Sequence, residues 1–359
     1  MLHNTQLRID LKDISIVYIN NQYVKEGKLK IDELFTIESV KDRVLEYLPA
    51  IPNKVSRLKS VIEKTSAPDV EIGTHCSKPY VCDFKGTCWK NIPEYSVFNI
   101  ANLNADKKFD FYNKGIVTLD QIELSESTLS PNQILQVQSE IDGTSYIDQD
   151  QIMKFTSSLR YPVYYLDFET IGPSIPVFEG SKPYQQLVFQ YSLHIQEISG
   201  SESIHKEYLA DPKEDPRIKF IEQLILDCGV SGDILVYNIG FEKGKIEDLI
   251  ETFPEHSIEL QKIISRLKDL MVPFQKKWYY TPKMRGSYSI KQVLPALVPE
   301  LSYNDLEINE GGNASNTFLS MVNGTFKGNE SQTRKSLLEY CKMDTYAMVK
   351  IVEKLKEFR

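Results

Sequence analysis

No run of apolar residues in this chain approaches the roughly 20 that a membrane-crossing helix needs. Histidine is scarce, with five in 359 residues, and none has a paired partner that would suggest a nucleophilic triad. Neither a Gly-x-Ser-x-Gly elbow nor a phosphate-cradling P-loop occurs, so hydrolase triads and nucleotide-driven motors have no support. Repeats and low-complexity tracts are also missing. The opening Met1-Leu2-His3-Asn4 begins no signal peptide, and the chain is expected to be cytoplasmic with no membrane partner. Under that expectation the glycosylation-type tripeptides at Asn313, Asn323 and Asn329 are chance matches.

Acidic residues outnumber basic ones by 50 to 42, a net charge of −8 that argues against a protein coating nucleic acid. The excess does not argue against a nuclease, because cations bound at local carboxylates invert the field around them. Basic and aromatic residues still cluster from Lys276 to Arg285, either as one wall of a groove or as a packed, partly exposed loop.

Periodicity gives the outline. Residues 14–20 read as a strand, 23–29 as a second extended piece, and 37–64 as helix interrupted by Pro49 and Pro52. Helix, a Gly115-Ile116 turn and a Thr118 cap follow over 109–121, as a plain connector or a helix-hairpin-helix-like module. From 159 onward strands are expected at 162–168, 186–196, 204–210 and 233–238. Helices are expected at 214–228, 241–252, 256–270, 287–298 and 330–357. Strands in series and then strand–helix alternation indicate an α/β class with a partly antiparallel sheet, preceded by a smaller α+β region.

Three acidic patches lie in order along that second half. Asp167 and Glu169, two apart on a strand, share one face. Asn238 ends a strand and Phe241-Glu242 opens a helix, at the sheet edge where open α/β folds gather ligands. Tyr340 and Asp344, four apart on a helix, also share a face. Singly, each has an ordinary explanation: a solvated strand end, an acid complementing a helix dipole, an aromatic packed on Leu337. Together they offer the hard oxygen ligands that a two-metal phosphodiester-cleaving site requires.

The order Asp-x-Glu, Asn-x-x-Phe-Glu, Tyr-x-x-x-Asp resembles the DEDD 3′–5′ exonuclease superfamily in its tyrosine subtype, on a ribonuclease-H-like fold. The resemblance implies that Asp167, Glu169, Glu242 and Asp344 hold two Mg²⁺ or Mn²⁺ ions while Tyr340 orients the attacking water. It also points to Asn238, Phe241, Arg285 and Lys291 as substrate contacts, with single-stranded DNA or RNA ends as the partner. Asp269-Leu270 and Ser287–Lys291 resemble segments between the second and third motifs of such enzymes. The superfamily places Asp where this chain has Glu242; the extra methylene shifts the carboxylate by about a bond length, against a ligand-distance tolerance of about 0.2 Å. A closer resemblance is to a bacterial family known as domain of unknown function 2779. It rests on Tyr165–Thr170, Pro183–Gln186, Phe189–Ser192, Tyr237-Asn238, Phe241-Glu242, Arg285–Ser289, Ser302–Asp305 and Gly311–Ser315.

Cys76, Cys82 and Cys88 fall within thirteen residues, a spacing that in a reducing compartment favours a metal over a disulfide. Zinc and iron–sulfur clusters both take four ligands as a rule, and His75 is the nearest fourth. The segment is similar to the three-cysteine tail of RecB-like nucleases, CRISPR-associated ones included, which carry a [4Fe-4S] cluster. That resemblance implies a RecB-like remnant over 1–95; the expected helical connector then covers 96–158, and the exonuclease resemblance implies the domain over 159–359. The functional expectation is a metal-dependent 3′–5′ exonuclease. The alternative is an inactive nucleic-acid-binding or scaffold module working with a separate RecB-like nuclease.

Overall fold

The computed structural model describes residues 12–126, 128–303, 307–308 and 310–358; Asn304 and Asp305 of the family marks lie outside them. Two compact units result. One runs to Ile72 and takes in Pro173–Gln185, and the other comprises Gly73–Gly172 and Gln186–Arg359, which includes the cysteine segment.

In the first unit β1 (Ser15–Ile19) pairs antiparallel with β2 (Phe35–Ser39), Val17 opposite Ile37. The extended piece expected over 23–29 is turn and coil, and the pairing role falls to 35–39. Beyond it the helical spacing resolves into α1 (Lys41–Tyr47), a 3₁₀ turn and α2 (Ile51–Ile62). Pro49 and Pro52 stand in the first turns of the segments they open, where a missing N–H breaks no helical bond. The 173–185 segment is held by the Gly27 N–H, which donates to the Glu179 carboxylate at 2.8 Å, and by the Lys25 N–H, which donates to the Ser181 carbonyl at 3.0 Å.

The second unit begins with a connector whose apolar residues Val97, Ile100, Leu103, Leu119, Ile122, Leu129 and Val137 make a small core of their own. α3 (Ala105–Asn113) ends at Gly115, whose φ of +80° turns the chain, and Thr118 and Gln121 form a capping box on a single 3₁₀ turn. The second helix expected there is thus one turn long. α4 (Pro131–Asp142) follows, opened by the Ser130–Gln133 box and closed by left-handed Gly143. β3 (Tyr146–Ile147) and α5 (Gln149–Ser157) lead to the main sheet.

That sheet is mixed, five-stranded and ordered β6-β5-β4-β7-β8. β4 (Val163–Ile171), β5 (Leu187–Gln196) and β6 (Ile204–Leu209) run antiparallel in series. β7 (Asp233–Val236) and β8 (Leu267–Asp269) join β4 in parallel. Alternation along β4 sends Tyr164, Leu166 and Phe168 into a core with Phe220 and Leu224 of α6 (Arg217–Asp227), Ile246 of α7 (Ile239–Thr252) and Leu260 of α8 (Ser257–Ile264). The helix expected through residue 270 stops at Ile264. Arg266 is the reason: its guanidinium donates to the carbonyls of Cys228, Gly229, Ser231 and Gly232 at 2.6–2.9 Å and turns the chain into edge strand β8.

β9 (Tyr279–Tyr280) pairs back with β3. α9 (Ile290–Leu297) comes next, then α10 (Gly311–Val322), a helix that the sequence reading did not anticipate. α11 (Glu330–Leu355) closes the chain and lies along β4 and β5 on the sheet face opposite α6–α8. One irregularity matters for the site. Glu169 pairs with Gln190 and Thr170 with Val188, so Phe189 is an unpaired bulge residue, and its ring stacks on Phe318 of α10 at 4.1 Å.

Candidate metal centre

The alternation that buries Leu166 and Phe168 beneath α6–α8 turns Asp167 and Glu169 the other way, toward α11. There Asp344 meets them: ligand oxygens of Asp167, Glu169 and Asp344 all lie within 4.8 Å of one another. Among the described residues this is the one set of three or more such side chains that converges so closely. Glu169 is 9% exposed and Asp344 8%, while Asp167 keeps a partly open edge.

Few partners relieve the crowding. The Tyr303 hydroxyl donates to Asp344 Oδ1 at 2.8 Å, and the buried Cys341 thiol lies 3.7 Å from Asp167 Oδ2. Burial first, and then the neighbouring carboxylates, push the Asp167 carboxyl well above its ordinary range. Burial and Asp344 push Glu169 up to about 8, against the relief given by Lys291. Asp344, eased by Tyr303, Lys291 and Tyr340, is raised to about 6, chiefly by burial. Three acids this close, kept from water, resist being ionised together at neutral pH, and a bound cation would relieve them.

Glu242 supplies the fourth acid. It stands in the first turn of α7, 2% exposed, outside the group of three but near enough to Asp167 to raise that carboxyl further. Its Oε2 is buried and finds no hydrogen-bond partner, and burial lifts the group to about 8. An orphaned carboxylate oxygen beside three converging ones fits divalent cations well, since the donor set is all hard oxygen.

The β7–α7 turn that carries Glu242 is fixed from below. Asn238 is left-handed at φ +86°, and the Asp269 carboxylate accepts the N–H groups of Asn238, Ile239 and Met271 at 3.1, 3.2 and 2.8 Å. Asp269 thus ties the end of β8 to the start of α7. Tyr340 is buried on α11 near Glu169 and Asp344, whose charges, after burial, hold its hydroxyl far above its ordinary range and hence protonated. Gly311, at the start of α10, faces the same place: a Cβ there would lie 3.7 Å from Glu169 Oε2 and 3.8 Å from the Tyr340 hydroxyl.

The other expected site residues divide. Lys291 is brought in, its Nζ 5.4 Å from the centre of the Tyr340 ring and 5.6 Å from that of Tyr303. Asn238 is exposed at the turn. Phe241 instead packs against the core under the sheet, and Arg285 pairs with Glu94. Neither is gathered to the acids. Cys76 is buried while Cys82 and Cys88 are exposed, all three as free thiols, and with His75 they do not draw together as the acids do.

Sequence reasoning missed Tyr303, Cys341 and the role of Asp269. Tyr303 sits 41 residues from the acid it serves, so no local spacing could reveal it. Asp269 was visible only as part of a motif-like dipeptide.

Residues 164–289 match the family profile described as Domain of unknown function (DUF2779). The chain is 30% identical over 176 residues to the uncharacterized protein UU173 of Ureaplasma parvum, covering 43% of this chain and 25% of that protein. It is 28% identical over 214 residues to the uncharacterized protein MG366 of Mycoplasma genitalium, covering 55% of this chain and 32% of the relative. A homolog of MG366 in Mycoplasma pneumoniae matches likewise, 28% identical over 213 residues, covering 54% of this chain and 32% of that protein. The chain therefore spans between 25% and 32% of the length of the curated relatives it matches. No solved structure matches it.

Proposed function

We propose that this chain hydrolyses phosphodiester bonds at the 3′ ends of single-stranded nucleic acid, using two divalent cations held by Asp167, Glu169, Glu242 and Asp344. The observation that carries the reading is the convergence of three carboxylates from β4 and α11, buried or nearly so, within 4.8 Å. A structural role alone would not repay burying like charges with so few partners. The sheet order supports the finer assignment to a ribonuclease-H-like exonuclease: three antiparallel strands, then two parallel ones added beside the first.

Mg²⁺ or Mn²⁺ bound to these acids would polarise the phosphate and neutralise charge on the attacking and leaving oxygens. The chain's own groups do the rest. The Tyr340 hydroxyl, protonated and beside Glu169, orients a water for attack on phosphorus. The new P–O bond forms as the P–O3′ bond breaks; the attacking water gives up one proton and the released 3′-oxygen takes one up, so the hydrolysis balances. Tyr303 holds Asp344 in place through its 2.8 Å hydrogen bond. Asp269 holds the helix start that presents Glu242.

The test is degradation of end-labelled single-stranded DNA and RNA by the purified protein with Mn²⁺, beside Asp167→Ala. Stepwise loss from the 3′ end by the wild type alone bears the reading out and selects the sugar. Nucleic-acid binding with no cleavage by either protein makes the fold a binding platform instead.

A further inference from the structure

The face of β5 turned toward α11 is polar: Gln190, Ser192, His194 and Gln196 recur at every second residue, and all four are buried. Buried polar groups are destabilising unless each finds a partner. Three of the four are matched. Ser192 and His194 share the Thr345 hydroxyl of α11, while Gln196 accepts from the Tyr165 hydroxyl at 3.3 Å and donates to the Ser201 carbonyl at 2.9 Å. Gln190 is the exception. Its Nε2 donates to the Leu337 carbonyl of α11 at 2.8 Å, but its Oε1 is buried and finds no hydrogen-bond partner. The Leu337 bond also fixes which end of the amide is which, because a carbonyl can only accept.

The place of that oxygen gives it meaning. Gln190 is paired with Glu169 across the β4–β5 ladder, so the two side chains leave the sheet side by side on one face. Among the described residues, three side-chain oxygens are buried without a partner, on Glu140, Gln190 and Glu242. Two of these border the acid cluster, Glu242 near Asp167 and Gln190 beside Glu169. An amide oxygen is a hard acceptor that adds no further negative charge to crowded acids. Divalent cations of the Mg²⁺ type keep part of their hydration shell, and the retained waters need acceptors.

We infer that Gln190 is a positioning residue of the cation site: its Oε1 accepts a hydrogen bond from water hydrating the cation that Glu169 helps to hold. This deepens the hydrolytic reading above and rests on it. The competing role is simpler. The oxygen would then hold an ordinary buried water, and the side chain would only tie β5 to α11. The two roles differ in whether the metal feels the loss.

The experiment compares wild type, Gln190→Met and Gln190→Glu by Mn²⁺ calorimetry and by thermal melting in chelator. Methionine has a similar length without the amide, and the Leu337 carbonyl lies inside α11, where it keeps its helical N–H donor. Gln190→Met is expected to melt close to wild type in chelator yet to bind Mn²⁺ about 10-fold or more weakly. Gln190→Glu keeps an acceptor oxygen of the same reach and is expected to recover most of that affinity. If Gln190→Met binds Mn²⁺ as tightly as wild type, the oxygen serves an ordinary water; the inference falls and the hydrolytic reading stands. If Gln190→Glu binds as weakly as Gln190→Met, the loss comes from altered packing and the inference falls likewise. If the wild type itself binds no Mn²⁺, both fall together.

Discussion

Asp344 and Thr345 are consecutive on α11, and each enters a buried polar cluster against the same sheet. Around Thr345 the hydrogen-bonded side chains are neutral and matched. Its hydroxyl lies 2.7 Å from Ser192 Oγ and 2.8 Å from His194 Nδ1, and Ser192 in turn reaches His205 Nε2 at 2.9 Å. Burial drives His194 down to about 3 and His205 to about 4, so both imidazoles stay uncharged at neutral pH. Around Asp344 three carboxylates of one sign crowd together, and Lys291 with the Tyr303 and Tyr340 hydroxyls relieves them only in part. Matched polar groups in a core stabilise it, and unmatched ones are tolerated where a ligand completes them. One helix thus carries a self-satisfied polar cluster and a candidate cation site on adjacent residues.

The largest test of this contrast is Asp167→Asn. It is expected to reduce oligonucleotide hydrolysis by roughly 1,000-fold or more, and also to raise the melting temperature in chelator, because one of several repelling charges is gone. A variant that loses activity and stability together would mean that the acids are structural, and the contrast would fail.

Thr345→Val comes next. It strips Ser192 and His194 of a shared partner and is expected to cost about 1–3 kcal/mol in the denaturant midpoint, while hydrolysis at 25 °C stays close to wild type. Lost activity without lost stability would move Thr345 into the site.

The smallest effect is the shape of stability against pH without metal. Glu169 and Glu242 rise from 4.5 to about 8 and Asp344 from 3.8 to about 6, so the folded chain holds their protons more tightly than the unfolded one. Their contribution is full below the unfolded values and is lost as pH climbs through 6 to 8. The histidines are depressed from 6.5, so their contribution is full above that pH and is lost as pH falls toward 3–4. Melting temperature in chelator should therefore fall by several degrees on both sides of a mildly acidic maximum. Saturating Mn²⁺ should remove the alkaline fall alone, and a melting series from pH 4 to 9 reads both slopes. An alkaline fall that persists in Mn²⁺ would count against cation binding at the acids.

Much of this site was legible because its geometry is local. A two-residue spacing on a strand put Asp167 and Glu169 on one face, and a four-residue spacing on a helix did the same for Tyr340 and Asp344. What escaped depends on partners remote in the chain. β8 has three residues and was absorbed into the helix before it, since nothing in its own composition announces the four carbonyls that Arg266 gathers. α10 opens with Gly311-Gly312, a poor helix start by propensity, and is held instead by packing such as Phe318 on Phe189. Arg285 and Phe241 have the residue types of substrate contacts, but their surroundings spent them elsewhere, on Glu94 and on the core.

The bulge at Phe189 has a genetic consequence. A strand alternates its faces residue by residue, and this one skips a beat at a single place, opposite Glu169. Deleting one codon elsewhere in β5 would invert the faces of every residue between the lesion and the bulge. Removing Phe189 alone would close the ladder with the alternation on either side intact. Second-site suppressors of single-codon insertions in β5 should therefore collect at this position, which acts as the strand's phase adjuster.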